Sequence, residues 1–351
     1  MSMTHTKSND RTVQECNAVK TNRREFLAIA AGVTLGAGLS YQTSCTVPGA
    51  REEAGPLPIV DTHQHLWDLT RFNPPWLADA PAILRRTYVT RDYLAACGDL
   101  NVVKAVYMEI DAHPDRHVDE ARHVIELCKS AAHPTAAAVI SGRPESARFA
   151  EYIRQFRNQG HIRGVRRVLH VPETARGFCL DDQFVRNVQL LGELDLSFDL
   201  CMRPGELTDG ATLAERCPDT RFIVDHCGNA DVRAFLPAAR SGGAPPSHDV
   251  ARWQMDMSRL AGHGNVICKI SGIVASAPPG WSARDLRPIV DFCLDAFGPD
   301  RVVFGSDWPV CKLGATYGEW VGALKTITAT RPLGARRKLF HDNAVKFYGL
   351  S

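Results

Sequence analysis

Two histidines stand one residue apart in the segment Asp61-Thr-His63-Gln-His65, directly after the apolar residues 57–60. A short β-branched run predicts a strand, and side chains two positions apart on a strand point to the same side. His63 and His65 therefore present two imidazoles to one place, where they can chelate a Zn²⁺-like ion at about 2.0–2.1 Å. The alternative is a pair of histidines hydrogen-bonded in a core, which is less favoured because burying two polar rings together is costly.

Two more polar residues end apolar runs in the same way. His226 closes the run from Phe222 and could be a third metal ligand or a group that polarises a carbonyl, while Asp225 could orient it or cap the next turn. Asp307 follows the run that begins at Arg301. A carboxylate there can serve as a terminal metal ligand and as a base that takes a proton from water and returns it to a leaving group. An Asx-turn is the alternative interpretation of Asp307.

These residues each end one of eight short apolar runs that alternate with amphipathic segments. The strand candidates are residues 57–65, 102–110, 135–142, 162–170, 194–202, 221–228, 265–272 and 301–308. The helix candidates are 90–99, 115–132, 144–159, 181–193, 207–216, 249–262, 282–297 and 316–329, followed by a last helix over 333–348. Thr90 and Ser282 are the predicted N-caps of two of them.

Eight alternations predict an α/β fold in a single domain, a (β/α)₈ or TIM barrel, with a doubly wound open sheet as the runner-up. In such a barrel the carboxyl ends of the strands form the catalytic face. The predicted fold therefore brings His63, His65, His226 and Asp307 to one end of one barrel. The stretch 238–248 is predicted to be an insertion loop.

Composition excludes some classes of function. The 351 residues carry a net charge of +2, and residues 1–45 contain five basic and three acidic residues. The remainder therefore has 36 residues of each sign and no net charge. A neutral body argues against a nucleic-acid or membrane-surface binder, which would need a basic face. A small-molecule substrate is the expected partner, and a homo-oligomer is compatible with the sequence.

The N-terminus has the pattern of an export signal. Arg23 and Arg24 precede the apolar run 26–39, whose 14 residues fall short of the roughly 20 that span a bilayer. The pattern predicts a twin-arginine signal over 1–45, a linker over 46–56, the barrel over 57–351, and a periplasmic location. A buried N-terminal helix is the alternative. Cys45 is a weaker candidate for a lipid anchor.

The ordered motifs resemble those of a known family. Asp-x-His-x-His, Gly-Val-Arg, Asp-His-x-Gly, Lys-x-Ser-Gly and Phe-Gly-Ser-Asp-Trp-Pro are similar to the amidohydrolase-related (amidohydrolase 2) branch of the amidohydrolase superfamily. The likeness is to its lactonase-like group, which includes 2-pyrone-4,6-dicarboxylate lactonase and L-fuconolactonase, and runs over 57–348. The resemblance implies hydrolysis at a carbonyl, with His63 and His65 beside the metal, His226 next to them and Asp307 as general base.

The resemblance also makes Arg166, in Gly164-Val-Arg166, a residue that binds a carboxylate or hydroxyl group. The guanidinium fork suits a sugar acid or a dicarboxylate. Further candidates for the substrate pocket are His170, Lys269, Glu109, Trp67 and Trp308. Lys269 and Glu109 could instead form salt bridges inside the barrel, and the two tryptophans could be plain packing.

The motifs predict one metal ion rather than two. Arginine stands where a metal-bridging lysine would follow the fourth strand, and Lys269-Ile-Ser-Gly stands where a histidine would follow the seventh. We expect one divalent ion, zinc, on His63, His65, His226 and Asp307, and we keep a metal-free reaction as the alternative, since some lactonases of this branch work without one. The expected reaction is lactone hydrolysis. A metal-dependent decarboxylase and a non-catalytic exported binding protein are the rivals.

Overall fold

A barrel of eight parallel strands forms the centre of the fold. The computed structural model describes residues 55–240 and 245–350. The strands are β1 Ile59–Gln64, β2 Val102–Met108, β3 Thr135–Ser141, β4 Ile162–Val168, β5 Ser197–Cys201, β6 Arg221–Val224, β7 Val266–Ile270 and β8 Val302–Phe304. They pair in chain order from β1 to β8. Just beyond β8, the amide of Asp307 donates to the carbonyl of His63 at 2.9 Å, so the two edges meet.

Helices separate consecutive strands and surround the barrel. They are α1 Thr90–Cys97, α2 His117–Lys129, α3 Phe149–Arg154, α4 Asp182–Glu193, α5 Leu207–Arg216, the short turn α6 His226–Asn229, α7 Val250–Gly262, α8 Ala283–Phe297, α9 Tyr317–Ile327, α10 Leu333–Arg337 and α11 Asn343–Tyr348. Sequential strand order with helical crossovers confirms the (β/α)₈ barrel and excludes the open doubly wound sheet, whose strand order changes direction.

The predicted last helix over 333–348 is wrong in one respect, because it is interrupted. A π-helical turn, Lys338–Asp342, joins α10 to α11. The wider turn carries Leu339 and Phe340, both essentially inaccessible to solvent, into the core. The interruption is therefore explained by the burial of these two side chains, and helical periodicity alone does not predict such a turn.

One of the two predicted N-caps is confirmed. Ser282 caps α8, and its amide and hydroxyl both donate to the carboxylate of Asp285 at 2.9 Å. The N-cap of α1 is Val89 rather than Thr90, which is the first helical residue. Valine has no side-chain acceptor with which to cap the helix. The carboxylate of Asp92 nevertheless accepts the amide of Val89 at 3.2 Å, so the backbone donor of the N-cap residue has a partner.

The interior of the barrel is apolar at one end and polar at the other. Val60, Val106, Ile223 and Val303 pack inside it against Tyr348 of α11. Within 55–240 and 245–350, no helix combines the length and hydrophobicity that crossing a membrane requires. The predicted signal segment and Cys45 lie outside the described residues, and so do residues 241–244 of the insertion loop.

Candidate active site

A buried carboxylate fastens the first strand to the segment after the last one. Oδ1 of Asp61 accepts the amides of His63 at 3.1 Å and Ser306 at 2.8 Å, and its Oδ2 accepts the hydroxyl of Tyr93 at 2.9 Å. His63 is itself one of these anchored residues, and Asp307 directly follows Ser306, which is another. The polar network therefore holds the predicted histidine pair and the predicted base in fixed register.

His65 is oriented by the backbone of the neighbouring strand. Its Nδ1 lies 3.1 Å from the carbonyl oxygen of Met108. A carbonyl oxygen only accepts, so Nδ1 carries a proton, and in the singly protonated ring Nε2 holds the lone pair. That lone pair lies 3.4 Å from Oδ1 of Asp307. An imidazole nitrogen and a carboxylate oxygen thus face each other as two acceptors, which favours a proton or a cation between them.

His63 lies at the centre of a polar cluster that also contains His65, Asp225, His226 and Asp307. Its Nε2 is 3.6 Å from Oδ1 of Asp307, and its Nδ1 is 3.6 Å from Oδ1 of Asp225. Two cationic side chains approach the same ring: Nη1 of Arg166 is 3.3 Å from Nε2, and Nζ of Lys269 is 3.3 Å from Nδ1. Burial and the charge of Lys269 lower the pKa of His63 well below its ordinary value, so the ring is neutral.

His226 occupies a constrained turn beside His63. Its backbone has a φ of 54°, in the left-handed region that non-glycine residues seldom adopt. Nδ1 lies 2.9 Å from Oγ of Ser271, and burial lowers the pKa of the ring, which is therefore neutral. Gly272 has a φ of +70°, and a Cβ there would come within 2.3 Å of Nδ1 of His226. Only glycine leaves room for the imidazole in this position.

Two overlapping groups of side chains could hold a metal ion. They are His63 with His65 and Asp307, and His63 with Asp225 and His226, and within each group the candidate ligand atoms lie within 4.8 Å of one another. The structure therefore places His226, which we predicted with the first group, in the second. Imidazole nitrogens and a carboxylate oxygen are ligands that zinc prefers.

The charges of the cluster also fit a divalent cation. Five buried carboxyl groups, those of Asp61, Glu109, Asp199, Asp225 and Asp307, lie near two buried cations, Arg166 and Lys269. Burial raises the pKa of Asp199 to about 7, so this group is only partly ionised near neutral pH, but the carboxylates still outnumber the cations. Together with Nε2 of His65, this excess makes the residues of the first group suitable for a divalent ion.

A cavity of about 560 Å³ opens above the cluster at the carboxyl ends of the strands. His65, His226 and Asp307 lie on its wall, as do Arg166 and His170. Its volume is within the range of roughly 300–1,000 Å³ that small-molecule sites have. The predicted catalytic residues therefore face a space that can hold a small substrate.

Arg166 reaches this cavity but already has protein partners. Its Nε donates to Oε1 of Glu109, its Nη2 donates to the carbonyl of Glu109 at 3.0 Å, and its Nη1 is the atom close to His63. Burial opposes the charge of Glu109, but Arg166 and Ser141 outweigh it and lower the carboxyl pKa to about 2. Of the two alternatives for Glu109, the structure shows the one in which it pairs with a basic residue.

Three other substrate candidates are placed away from the cavity wall. Lys269 is fully buried inside the barrel, where Nζ lies 2.7 Å from Asp199 and 2.9 Å from Asp225. Trp67 and Trp308 are each 1% exposed and pack in the core. The structure therefore shows the salt-bridge alternative for Lys269 and the packing alternative for both tryptophans.

His170 does line the cavity, and its Nδ1 lies 3.3 Å from the thiol of Cys201. Burial and the nearby Arg166 lower its pKa to about 4, so the ring is neutral. A neutral imidazole on the wall can donate one hydrogen bond or accept one. This placement is compatible with the predicted role in substrate binding, which stays a prediction.

Several residues of the site were missed at the sequence level. Asp199 had a detectable signal, because a carboxylate in the middle of the buried strand Ser197–Cys201 requires a charged partner. Ser271 lies in the Lys-x-Ser-Gly motif, but its role was not predicted and is shown only by its contact with His226. Asp231 and Arg233 lie on the wall of the cavity, at the start of the short 3₁₀ helix Val232–Phe235, whose position no periodicity reveals.

Comparison with known proteins places this architecture in a family. The amidohydrolase family model matches residues 60–350. An L-fucono-1,5-lactonase of Burkholderia multivorans is 31% identical over 298 residues, covering 83% of this chain and 96% of that protein. An uncharacterized protein of Sinorhizobium fredii is 31% identical over 310 residues, covering 83% of this chain and 98% of that protein.

A solved structure has the same fold. The crystal structure of an amidohydrolase from Burkholderia multivorans with bound zinc superimposes with a TM-score of 0.71 at 26% identity, covering 84% of this chain and all of that one. The family match extends from β1 to α11 and includes every residue of the cluster. This chain therefore belongs to the amidohydrolase family and is a hydrolase.

Proposed function

We propose that the protein hydrolyses the lactone of a small sugar acid, opening the ring to the hydroxy acid. The observation that carries the proposal is the apposition of His65 Nε2 and Asp307 Oδ1 on the wall of the cavity, beside the neutral His226. The 31% identity to an L-fucono-1,5-lactonase supports a lactone as the substrate. The following steps are derived from the positions of these side chains.

Asp307 is the base in this proposal. Only 4% of the residue is exposed, and Oδ1 lies within 3.6 Å of a nitrogen on each of two imidazoles. The carboxylate takes a proton from the attacking water while the water oxygen bonds to the lactone carbonyl carbon. When the ring C–O bond breaks, Asp307 returns the proton to the departing oxygen, so that one water is consumed and one hydroxy acid is formed.

His226 supplies a hydrogen-bond donor to the carbonyl oxygen. When the hydroxyl of Ser271 donates to Nδ1, the neutral ring carries its proton on Nε2. His226 lies on the cavity wall, so this N–H can bond to the oxygen that becomes negative during attack. Donors held in place before the reaction lower the barrier because they need no reorganisation as the charge develops.

We further propose that His63, His65 and Asp307 hold one divalent cation, with zinc as the best match to their ligand atoms. Such an ion polarises a carbonyl oxygen and lowers the pKa of bound water. The proton on His65 Nδ1, fixed by Met108, keeps Nε2 available as a ligand. The crystal structure of a relative with bound zinc supports zinc as the identity of the ion.

The charges around the cavity favour a neutral, hydroxylated lactone over a dicarboxylate. Both guanidinium groups on the wall have carboxylate partners: Arg166 bonds to Glu109, and Nη1 of Arg233 lies 3.6 Å from Oδ1 of Asp231. A second carboxylate on the substrate would have to compete with these partners. Hydroxyl groups, in contrast, can bond to a charged pair without separating it.

The reaction can be followed by acid release. Purified protein is mixed with L-fucono-1,5-lactone in a weakly buffered solution containing a pH indicator, and the excess over spontaneous hydrolysis is measured. We expect saturable acid release, and a much lower rate with 2-pyrone-4,6-dicarboxylate. Release of carbon dioxide from aromatic or pyrone acids, without ring opening, would instead establish the decarboxylase. Binding of the lactone without turnover would establish the binding protein.

We also propose that the protein is exported to the periplasm through its twin-arginine segment, on the strength of Arg23, Arg24 and the apolar run that follows. Cell fractionation after expression of the full chain tests this. The native chain should be found in the periplasmic fraction, whereas the double substitution Arg23→Lys and Arg24→Lys should retain it in the cytoplasm. Equal distribution of both chains would contradict the proposal.

A further inference from the structure

The ammonium group of Lys269 is surrounded by atoms that are typical metal ligands. Nζ lies 2.7 Å from Oδ2 of Asp199, 2.9 Å from Oδ1 of Asp225 and 3.3 Å from Nδ1 of His63. All four side chains are inaccessible to solvent. The group therefore has two carboxylate oxygens and one imidazole nitrogen around it, as a bound cation would.

Two of these three atoms belong to residues of the second candidate metal group, His63 with Asp225 and His226. Oδ1 of Asp225 and Nδ1 of His63 lie 3.6 Å apart, and an ion between them would compete with Nζ, which is already in contact with both atoms. A divalent ion at that place would also lie within a few ångströms of a positive charge in a medium of low dielectric constant. The ammonium and a metal ion therefore exclude each other there.

The surroundings of the carboxylates support a site built around a cation. Among the described residues, both oxygens of Asp225 and Oδ1 of Asp199 are buried with no hydrogen-bond partner, so Asp225 is reached only by ionic contacts. Buried carboxylate oxygens of this kind are costly unless a nearby charge compensates them. Lys269 provides that charge for both carboxylates from one position between them, and Nη1 of Arg166 adds a longer contact of 3.6 Å to Oδ2 of Asp225.

We propose that Lys269 is a built-in cation that occupies a second metal position, closing the group of His63, Asp225 and His226 to an ion. Asp225 then stays paired, His63 is held against the barrel interior, and the group of His63, His65 and Asp307 is left as the place where an ion binds. The inference concerns the number of ions bound and does not rest on the lactone as substrate.

The experiment counts ions with and without the ammonium. The full chain and its Lys269→Ala variant are stripped of metal, titrated with Co²⁺, and analysed by equilibrium dialysis and visible absorption. The variant is expected to bind one more Co²⁺ per chain than the unaltered protein and to gain more thermal stability from Co²⁺. Adding Asp225→Asn to the variant should remove the additional ion. Lys129→Ala, on the surface beside Glu126, is the control and should leave the count unchanged.

Equal ion counts for the unaltered protein and Lys269→Ala would overturn the proposal. Should Lys269→Ala not fold without metal, Co²⁺ added during refolding is expected to restore it. The double variant Lys269→Ala/Asp199→Asn removes one charge of each sign and is expected to show the same additional ion. Failure of both variants to fold in the presence of Co²⁺ would also overturn the proposal, because an ion at this position should replace the lost ammonium.

Discussion

Nε2 of His65 lies 3.4 Å from Oδ1 of Asp307, with the opposite nitrogen of the ring committed to the carbonyl of Met108. With its proton on Nδ1, the imidazole directs the lone pair of Nε2 towards the carboxylate oxygen across this gap. Such an arrangement is unfavourable when it is empty and favourable when a proton or a metal ion lies within it. The carbonyl of Met108 at the end of β2 therefore orients His65 so that Nε2 is available as a ligand.

The first prediction concerns His65 as a metal ligand. His65→Ala removes the nitrogen that Met108 orients, and we expect the affinity for a divalent ion to fall by about 100-fold or more, since even the loss of an outer-shell partner costs about 10–100-fold. Competition with a chromogenic chelator measures the dissociation constant. His123→Ala, on α2, is the matched control. An unchanged constant in His65→Ala would place the ion elsewhere.

The second prediction uses two glycines with similar backbones. Gly272 and Gly280 have φ values of +70° and +76°, but a Cβ at Gly272 meets the ring of His226, whereas nothing lies within 4 Å of one at Gly280. Both alanine variants should lose roughly 1 kcal/mol to backbone strain. Gly272→Ala should in addition displace His226 and lower kcat/KM by about 100-fold.

Urea unfolding and initial rates separate the two effects of these substitutions. Gly280→Ala shows the cost of backbone strain alone and should keep its rate. If Gly272→Ala hydrolysed substrate as fast as Gly280→Ala does, then His226 would not be the donor to the carbonyl.

The third prediction is a dependence of stability on pH. Burial and the neighbouring Glu109 raise the pKa of Glu120 to about 7 from its ordinary 4.5. Oε1 accepts bonds from Tyr107 and the amide of Ile110, and Oε2 is 3.0 Å from the hydroxyl of Ser141. Because the folded chain holds this proton more tightly than the unfolded chain, the stability it contributes is present below about pH 4.5 and is lost as the pH rises through 7.

Glu120→Gln imitates the protonated acid. The variant should match the unaltered protein near pH 4.5 and exceed its free energy of unfolding by about 3 kcal/mol at pH 8, from 1.36 kcal/mol for each pKa unit. Urea unfolding at both pH values measures the difference. Glu126→Gln, an exposed acid beside Lys129, should show no such trend. A difference that stays constant with pH would show that Glu120 is ionised in the folded protein.

The barrel and four of its polar residues could be predicted from the sequence because each signal is local. An apolar β-branched run that ends in a polar residue identifies both a strand and the end at which its side chain lies. For this reason His63, His65, His226 and Asp307 were predicted together, and the structure brings them to one end of the barrel, with three of them on the wall of one cavity.

The partners of the charged residues could not be predicted, because they depend on which strands face each other across the barrel. Lys269 on β7 meets Asp199 on β5, 70 positions earlier in the chain. Arg166 on β4 meets Glu109 after β2. Sequence shows that a buried charge needs a partner but not which one is in reach. For Lys269 the sequence left open a substrate contact or a salt bridge, and the structure shows the salt bridge; Arg166 was predicted to bind substrate, and the structure places it on the cavity wall with Glu109 as a partner.

The boundaries of shorter elements follow tertiary contacts as well. The segment 144–159 was predicted as one helix, but regular α-helix covers only Phe149–Arg154. The side chain of Asn187 on α4 bonds to the carbonyls of Pro144 and Ser146, which holds the chain before the helix in an irregular path. These contacts come from a distant part of the sequence, so helical periodicity does not record them.

The central claim is that Asp307 is the base for ring opening of a lactone, and it is tested most directly by Asp307→Asn. Asparagine tolerates the left-handed backbone of this position, where φ is 58°, so the fold should be kept. The measurement is the rate of acid release from L-fucono-1,5-lactone by both proteins, with thermal unfolding as a check on folding. We predict that the unaltered protein hydrolyses the lactone and that the folded variant is slower by about 10²–10⁴-fold in kcat. A folded variant that retained the full rate would contradict the account.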